Sequence, residues 1–447
     1  MADEQLEPAS AAMPAGLRAP AEALAAPELA AAPLLLAAPP RLDLRVRRVP
    51  GVSVVAVRVW LRGGARAEPL PGVSWATGRL LTEGTASRDW RALAATAEDR
   101  GASLVGFGGY EAHGLAVDAL AADWEDALAW AADMVLASRF PADRLAWVRR
   151  QGETELESDW DQPEVRTSWA FLEQLYAPNP RARPVQGDHT GLALLDPDGC
   201  RTFHLQSLTR GVIVSVTGEI AEEPVRQRLA ELFGPLLGGS AALADPAPPV
   251  GLPADRRELP SGAVDQAHLY LGHLTVPRLH PDHAALELLG VVLGAGAGLT
   301  GRIPERLRER EGLAYTAQAA TVAGASSEPG RLVAYVATSP RTLERAERAA
   351  REELSRMLED GLTEEEFSEA RTYLLGREPF RRESARQWAD LLAEAAYWGL
   401  PLDDADWCER ELLVLDRAAV EAAARRHLRP EALKVTIGLP GEEGAQG

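Results

Sequence analysis

A chain of 447 residues is longer than one hydrophobic core ordinarily supports, so two domains are the expectation. With 46% hydrophobic and 25% charged residues the composition is globular, and a formal charge of -19 excludes nucleic acid and anionic membrane as partners, since both need a basic face. Acidic walls suit a basic peptide instead.

Residues 1–41 are Ala/Pro-rich without a sustained period and read as a flexible tail. Their start, MADEQLEPAS, is acidic where a secretory signal would be basic, and LAAAPLLLAAPP is short and broken by prolines, so neither a cleaved signal nor a membrane span is expected. Structure is expected from Leu42. VSVVAVRVWL (52–61) is dense in β-branched residues, as a buried strand is; Pro71 opens a helix to Leu81, and a second runs from Arg91 to Asp99. Short strands follow at 103–107 and 111–119. Trp124, Leu128, Ala131 and Val135 mark an apolar helix face, and a long helix from Ala142 should end before Pro163. The Pro, Gly and Asp of residues 177–199 read as irregular chain, 211–216 as a strand and 224–233 as a helix.

GGSAALADPAPPVGLP has linker composition and puts a boundary at 238–256, between domains at 42–237 and 257–440, with a tail at 441–447. The second half repeats the order of the first: strand AHLYLGHLTV, a helix from Pro281, a shorter one from Arg302 to Arg310, a hairpin across 314–337, then a long helix ending at Gly361. Thr363 and Glu366 form a capping box for the next helix. Matched elements keep near-constant offsets, 210 residues for Pro71 and Pro281 (281 − 71) and 211 for Gly101 and Gly312 (312 − 101), which means two copies of one domain. The fold class expected is α+β, two homologous domains, each a largely antiparallel sheet packed with helices.

Chemistry is sparse. Cys200 and Cys408 have no partners in sequence for a disulfide framework or zinc knuckle, which points to a reducing compartment, the cytoplasm. His280, His283 and Glu287 in HPDHAALE are a weak metal pattern, because one His precedes the helix, and His268 and His273 fall on opposite faces of a strand. The Gly-rich turn at 296–301 could present Arg302 to a ligand, with Tyr315 on the following strand; a guanidinium and a phenol suit a peptide carbonyl or carboxylate. Locally, LRERE is also what any solvated helix looks like.

GLTGRIPERLREREGLAY, GVSWATGRLLTEGT, DQAHLYLGHLTVP, HAALELLGVVLGAG and LTEEEFSEARTYLLG, in that combination, resemble the pitrilysin/insulinase family of inverted-zincin peptidases over about Leu42 to Gly438. The resemblance implies a His-x-x-Glu-His zinc motif on the first helix, framed here by Gly72, Leu81, Gly84 and Thr85. Trp75 and Arg79 stand at the two His positions and Gly78 at the Glu, while Glu155 matches the third ligand to within one position. An indole and a guanidinium offer a metal no lone pair, and glycine cannot accept a proton. The resemblance therefore implies a chain that is catalytically silent alone and lacks a metal. As in processing-peptidase-like pairs, a homologous zinc-bearing partner would cut the peptide while Arg302 and Tyr315 hold it. The alternative is a structural or assembly protein that keeps only the fold, as the core proteins of the respiratory cytochrome bc complex do.

Overall fold

The computed structural model describes residues 41–261, 265–296, 300–325, 327–400 and 407–441, so the expected tails lie outside it except for Arg41 and Gly441. Leu42–Arg48 (β1), Val54–Arg62 (β2), Ser103–Gly108 (β3), Ala112–Leu120 (β4) and Val212–Gly218 (β5) form a sheet in the order β1-β5-β2-β4-β3. Arg256–Pro260 (β6), Ala267–Leu274 (β7), Ala314–Val322 (β8), Arg331–Thr338 (β9) and Lys434–Leu439 (β10) form a second in the order β6-β10-β7-β9-β8, the same path through corresponding strands. Among the described residues only β1 with β5 and β6 with β10 run parallel, and every other strand pair is antiparallel.

Eight helices accompany the first sheet in sequence: Val73–Leu80 (α1), Trp90–Glu98 (α2), Trp124–Leu136 (α3), Ala142–Trp160 (α4), Pro163–Tyr176 (α5), His189–Leu194 (α6), Pro197–Arg210 (α7) and Glu222–Phe233 (α8). With the second come His283–Gly290 (α9), Arg302–Pro304 (α10, continued by a wider turn over Glu305–Arg310), Leu343–Asp360 (α11), Glu364–Arg377 (α12), Ala385–Tyr397 (α13), Trp407–Val414 (α14) and Arg417–His427 (α15). Residues 177–199 are more ordered than their composition suggests. Asp188 and Asp196 accept backbone N–H bonds from Gly191 at 2.7 Å and from Asp198 and Gly199 at 2.9 Å, so these turn-forming residues are the N-caps of α6 and α7. Pro163, which ends α4, is also the first residue of α5.

Each half lends a helix to the other. α5 of the first half lies on β10 and β7, and α13 of the second lies on β2 and β5. The contact is apolar at Ala56, Ala385 and Ala389 and at Phe171, Tyr176 and Tyr270. It is also hydrogen-bonded, because Ser215 and Thr217 of β5 donate to the carbonyls of Ala389 and Ala385 at 2.6 and 2.5 Å. Arg62, buried, donates to the carbonyls of Ala396 and Tyr397 at 2.9 Å each. With helices on both faces, every residue of β5 is buried.

Where α1 crosses β3, glycine sets the distance. A Cβ at Gly78 would lie 1.9 Å from the Phe107 carbonyl oxygen, one at Gly106 2.1 Å from the Gly78 oxygen, and one at Gly108 2.3 Å from the Trp75 Cα. Ala in place of a helical Gly ordinarily stabilises by about 0.5–1 kcal/mol. Gly78→Ala should reverse that sign and cost about 1–3 kcal/mol by forcing α1 off β3, read as a lower denaturant midpoint with native-like circular dichroism.

His113 of β4 is fully buried against Phe203 and His204, with ring centroids 5.2 and 6.1 Å away. Burial, aided by His204 and Arg210, pushes His113 well below its ordinary value. Burial likewise lowers His204 to about 4, although its bond to the Val135 carbonyl at 2.7 Å works the other way. The unfolded chain takes up protons below about pH 6.5 that the folded chain refuses, so stability falls as pH drops through that value. The loss should reach on the order of 2 kcal/mol per imidazole by about pH 5. His113→Leu should make the fall in melting temperature between about pH 7 and pH 5 shallower.

Candidate functional site

Trp75, Arg79 and Glu155 meet where α1 faces α4. The indole is 4% exposed and occupies a slot left by Gly152, where a Cβ would come within 2.9 Å of Trp75 Cζ3. Arg79 Nη2 lies 3.4 Å from Glu155 Oε1, and the guanidinium sits 5.5 Å from the centre of the Trp75 ring. Both charged side chains are more than a third exposed, so the pair contributes little to stability. It does supply Glu155 with a cation.

Gly78 points elsewhere, into the seam with β3. A carboxylate there would have to part α1 from the Phe107 carbonyl. The donor set therefore does not fit a zinc ion: two of the three helix positions offer no lone pair, the third has no room, and the remaining carboxylate faces an arginine.

Arg302 and Tyr315 are held in contrasting ways. The Arg302 guanidinium forks onto Glu366 at 2.6 and 2.8 Å and donates to the Gly361 carbonyl at 2.6 Å. Glu366 also accepts the Thr363 N–H at 2.8 Å, closing the expected capping box. Burial alone would raise the Glu366 carboxyl, but Arg302 and Thr363 hold it below the usual range. This cluster borders a cavity of about 620 Å³ with Val291, Val292, Gly301 and Tyr373 on its walls. Arg302 thus stitches the Gly-rich turn to the start of α12.

Tyr315 is 79% exposed on β8, the edge strand of its sheet. Ala314 pairs with Thr338 and Thr316 with Ala337, which leaves Tyr315 as the extra residue of a β-bulge. Bulges at sheet edges re-aim side chains. Arg308, singled out by nothing in the sequence, has a 36% exposed side chain and a single 3.5 Å approach to Glu309, so it is far less committed than Arg302.

The histidines of HPDHAALE disperse. His283 is buried beside Arg278, and Glu287 pairs with Arg377. His268 meets the Tyr335 hydroxyl at 3.0 Å, whereas His273 bonds the Leu274 carbonyl and the Arg429 N–H at 2.9 and 3.1 Å.

Because Arg302 is committed internally, Arg302→Ala should cost about 1–3 kcal/mol through the abandoned Glu366. Arg302→Lys, which cannot fork, should recover only part of it in the same denaturation experiment.

Two family models match the chain: insulinase (peptidase family M16) over residues 46–189 and the peptidase M16 inactive domain over residues 211–374. An uncharacterized zinc protease of Mycobacterium leprae is 28% identical over 359 residues, 79% of this chain and 80% of that protein. A non-peptidase homolog of Helicobacter pylori is 31% identical over 144 residues, 31% of this chain and 32% of that protein. The fold is that of a peptidase M16 inactive domain from Pseudomonas fluorescens, with a TM-score of 0.79 at 23% identity, covering 89% of this chain and 95% of that one. No helix among the described residues is long and apolar enough to cross a membrane. With residues 46–189 and 211–374 matched in order by two models of one family, the chain belongs to the M16 peptidases, the pitrilysin/insulinase family.

Proposed function

We propose that this chain is the catalytically silent subunit of a two-chain zinc peptidase of the cytoplasm, presenting peptide to a homologous partner that carries the metal. The observation that carries this reading is the contrast between its two halves. On α1 the ligand positions are filled by Trp75, Gly78 and Arg79 with no space for a working motif, while on β8 the Tyr315 phenol stands free on a bulged edge strand.

A free strand edge offers backbone N–H and C=O groups with which an extended peptide can pair, and a phenol beside it can donate to a peptide carbonyl. In the paired enzyme the partner would supply the metal-activated water; this chain would fix the peptide's orientation and stabilise charge on the carbonyl oxygen. The overall acidity favours basic peptides. Arg302 would contribute by holding the turn before β8, and Arg308, held only by a 3.5 Å approach to Glu309 among the described residues, would reach a carboxylate. The engagement of Arg302 with Glu366 is also what an assembly protein without substrate would show, and that is the alternative reading.

Removing one donor to a developing oxyanion lowers turnover by about a hundredfold or more. Tyr315→Phe and Arg308→Ala should each cut the kcat/KM of the assembled pair by about that factor and leave co-elution with the partner intact. Wild-type cleavage by both variants would remove the substrate-binding role. Peptide cleaved by the purified chain alone would refute the silent-subunit reading; a homologous pair without any cleavage would favour the assembly protein.

A further inference from the structure

The second half brings together a set of ligands that the family zinc motif does not use. His280 and Asp282 precede α9, and His427 is the last residue of α15, 145 positions further on from Asp282. One ring nitrogen of each histidine and a carboxylate oxygen of Asp282 all lie within 4.8 Å of one another. His427 Nε2 is 2.6 Å from Asp282 Oδ2, and the two imidazoles meet edge to face with centroids 5.2 Å apart.

The geometry of Asp282 is the second observation. It occupies the N-cap position of α9, where an aspartate ordinarily accepts N–H bonds from its own helix, yet its side chain makes no cap bond. The carboxylate is turned instead toward α15. Its present cation is Arg426, which forks onto it at 2.7 and 3.0 Å from a side chain that is 54% exposed and can swing into solvent. His280 Nδ1 accepts the Asp282 backbone N–H at 3.0 Å and lies 3.9 Å from Asp282 Oδ2, so this nitrogen gives up its backbone bond when it ligates an ion.

We propose that His280, Asp282 and His427 form a site for a divalent transition ion of the zinc class, distinct from the emptied positions on α1. Two imidazoles and a carboxylate are a nitrogen/oxygen donor set of borderline softness, matched to Zn²⁺, Co²⁺ or Ni²⁺ rather than to Ca²⁺ or Mg²⁺. Bonds of about 2.0–2.2 Å at tetrahedral angles separate the donors by about 3.3–3.6 Å, so His427 and Asp282 open from 2.6 Å while His280 moves in on Asp282 from 3.9 Å, and a coordination position is left for water. The ion displaces Arg426 and the His427 Nε2 proton shared with Asp282, which passes to solvent, and fastens the start of α9 to the end of α15. This contact joins the beginning and the end of the second half, so its occupancy sets how firmly that half is closed.

The test uses the untagged full chain, stripped with a chelator and titrated with Co²⁺ by visible absorption and with Zn²⁺ by calorimetry. One ion per chain is expected, together with a rise in melting temperature on Zn²⁺ addition. His280→Gln and His427→Gln should each weaken binding by at least about tenfold, and Arg426→Ala should tighten it severalfold by removing the competing cation. Variants are compared only where their metal-free circular dichroism matches wild type; His280→Gln, at a partly exposed position, supplies this even if His427→Gln does not fold. Absence of Co²⁺ absorption in the wild type at millimolar ion, or binding unchanged in His280→Gln, would overturn the proposal.

Discussion

The exchange of α5 and α13 is the constraint to which the rest of the molecule answers. A five-stranded sheet with helices on one face would leave the other open, and each half closes that face with a helix encoded in its counterpart. β5 reflects the result: Val212–Gly218 is buried throughout, and Ser215 and Thr217 are tolerated there because they donate to carbonyls of α13. A buried hydroxyl left unbonded would cost about 1–3 kcal/mol, so each half requires the other's helix in register as well as in place. Buried Arg66, which pairs with Glu328 across the same boundary at 3.0 Å, has the same dependence.

Against that fixed framework the two regions of chemical interest have been settled by internal charge. At α1 the position of a metal ligand is taken by Arg79, whose guanidinium gives Glu155 the cation that an ion would otherwise give. At the Gly-rich turn Arg302 is absorbed by Glu366 and the Gly361 carbonyl. In both places the guanidinium is paired with a carboxylate of the same chain. Tyr315 and Arg308 differ: the first is exposed on a strand edge, and the second has a partly exposed side chain that approaches Glu309 at 3.5 Å.

The duplication was legible because glycines, prolines and apolar stripes recur at nearly constant spacing, and spacing survives where identity does not. Expected strands and helices such as 52–61 and the Trp124 face have the hydrophobic periods of their final environments. Three things could not be read. The exchange of α5 and α13 is invisible because an apolar helix face does not say which sheet it will cover. Turn-forming residues at 177–199 serve as caps, and cap and loop chemistry are the same until the following helix is seen. Meetings such as Asp282 with His427, or Arg302 with Glu366, join residues far apart in the chain, and no local pattern carries them. The emptied motif was readable, but the reason it cannot simply be refilled lies in a carbonyl of β3.

That carbonyl ties the three motif positions on α1 to the placement of β3. Once α1 had settled against β3 at glycine distance, the three motif positions ceased to be independent. Histidines at 75 and 79 bring no benefit without a carboxylate at 78, and a carboxylate at 78 meets the Phe107 oxygen before any benefit can accrue. A carboxylate at 78 therefore requires β3 to move as well.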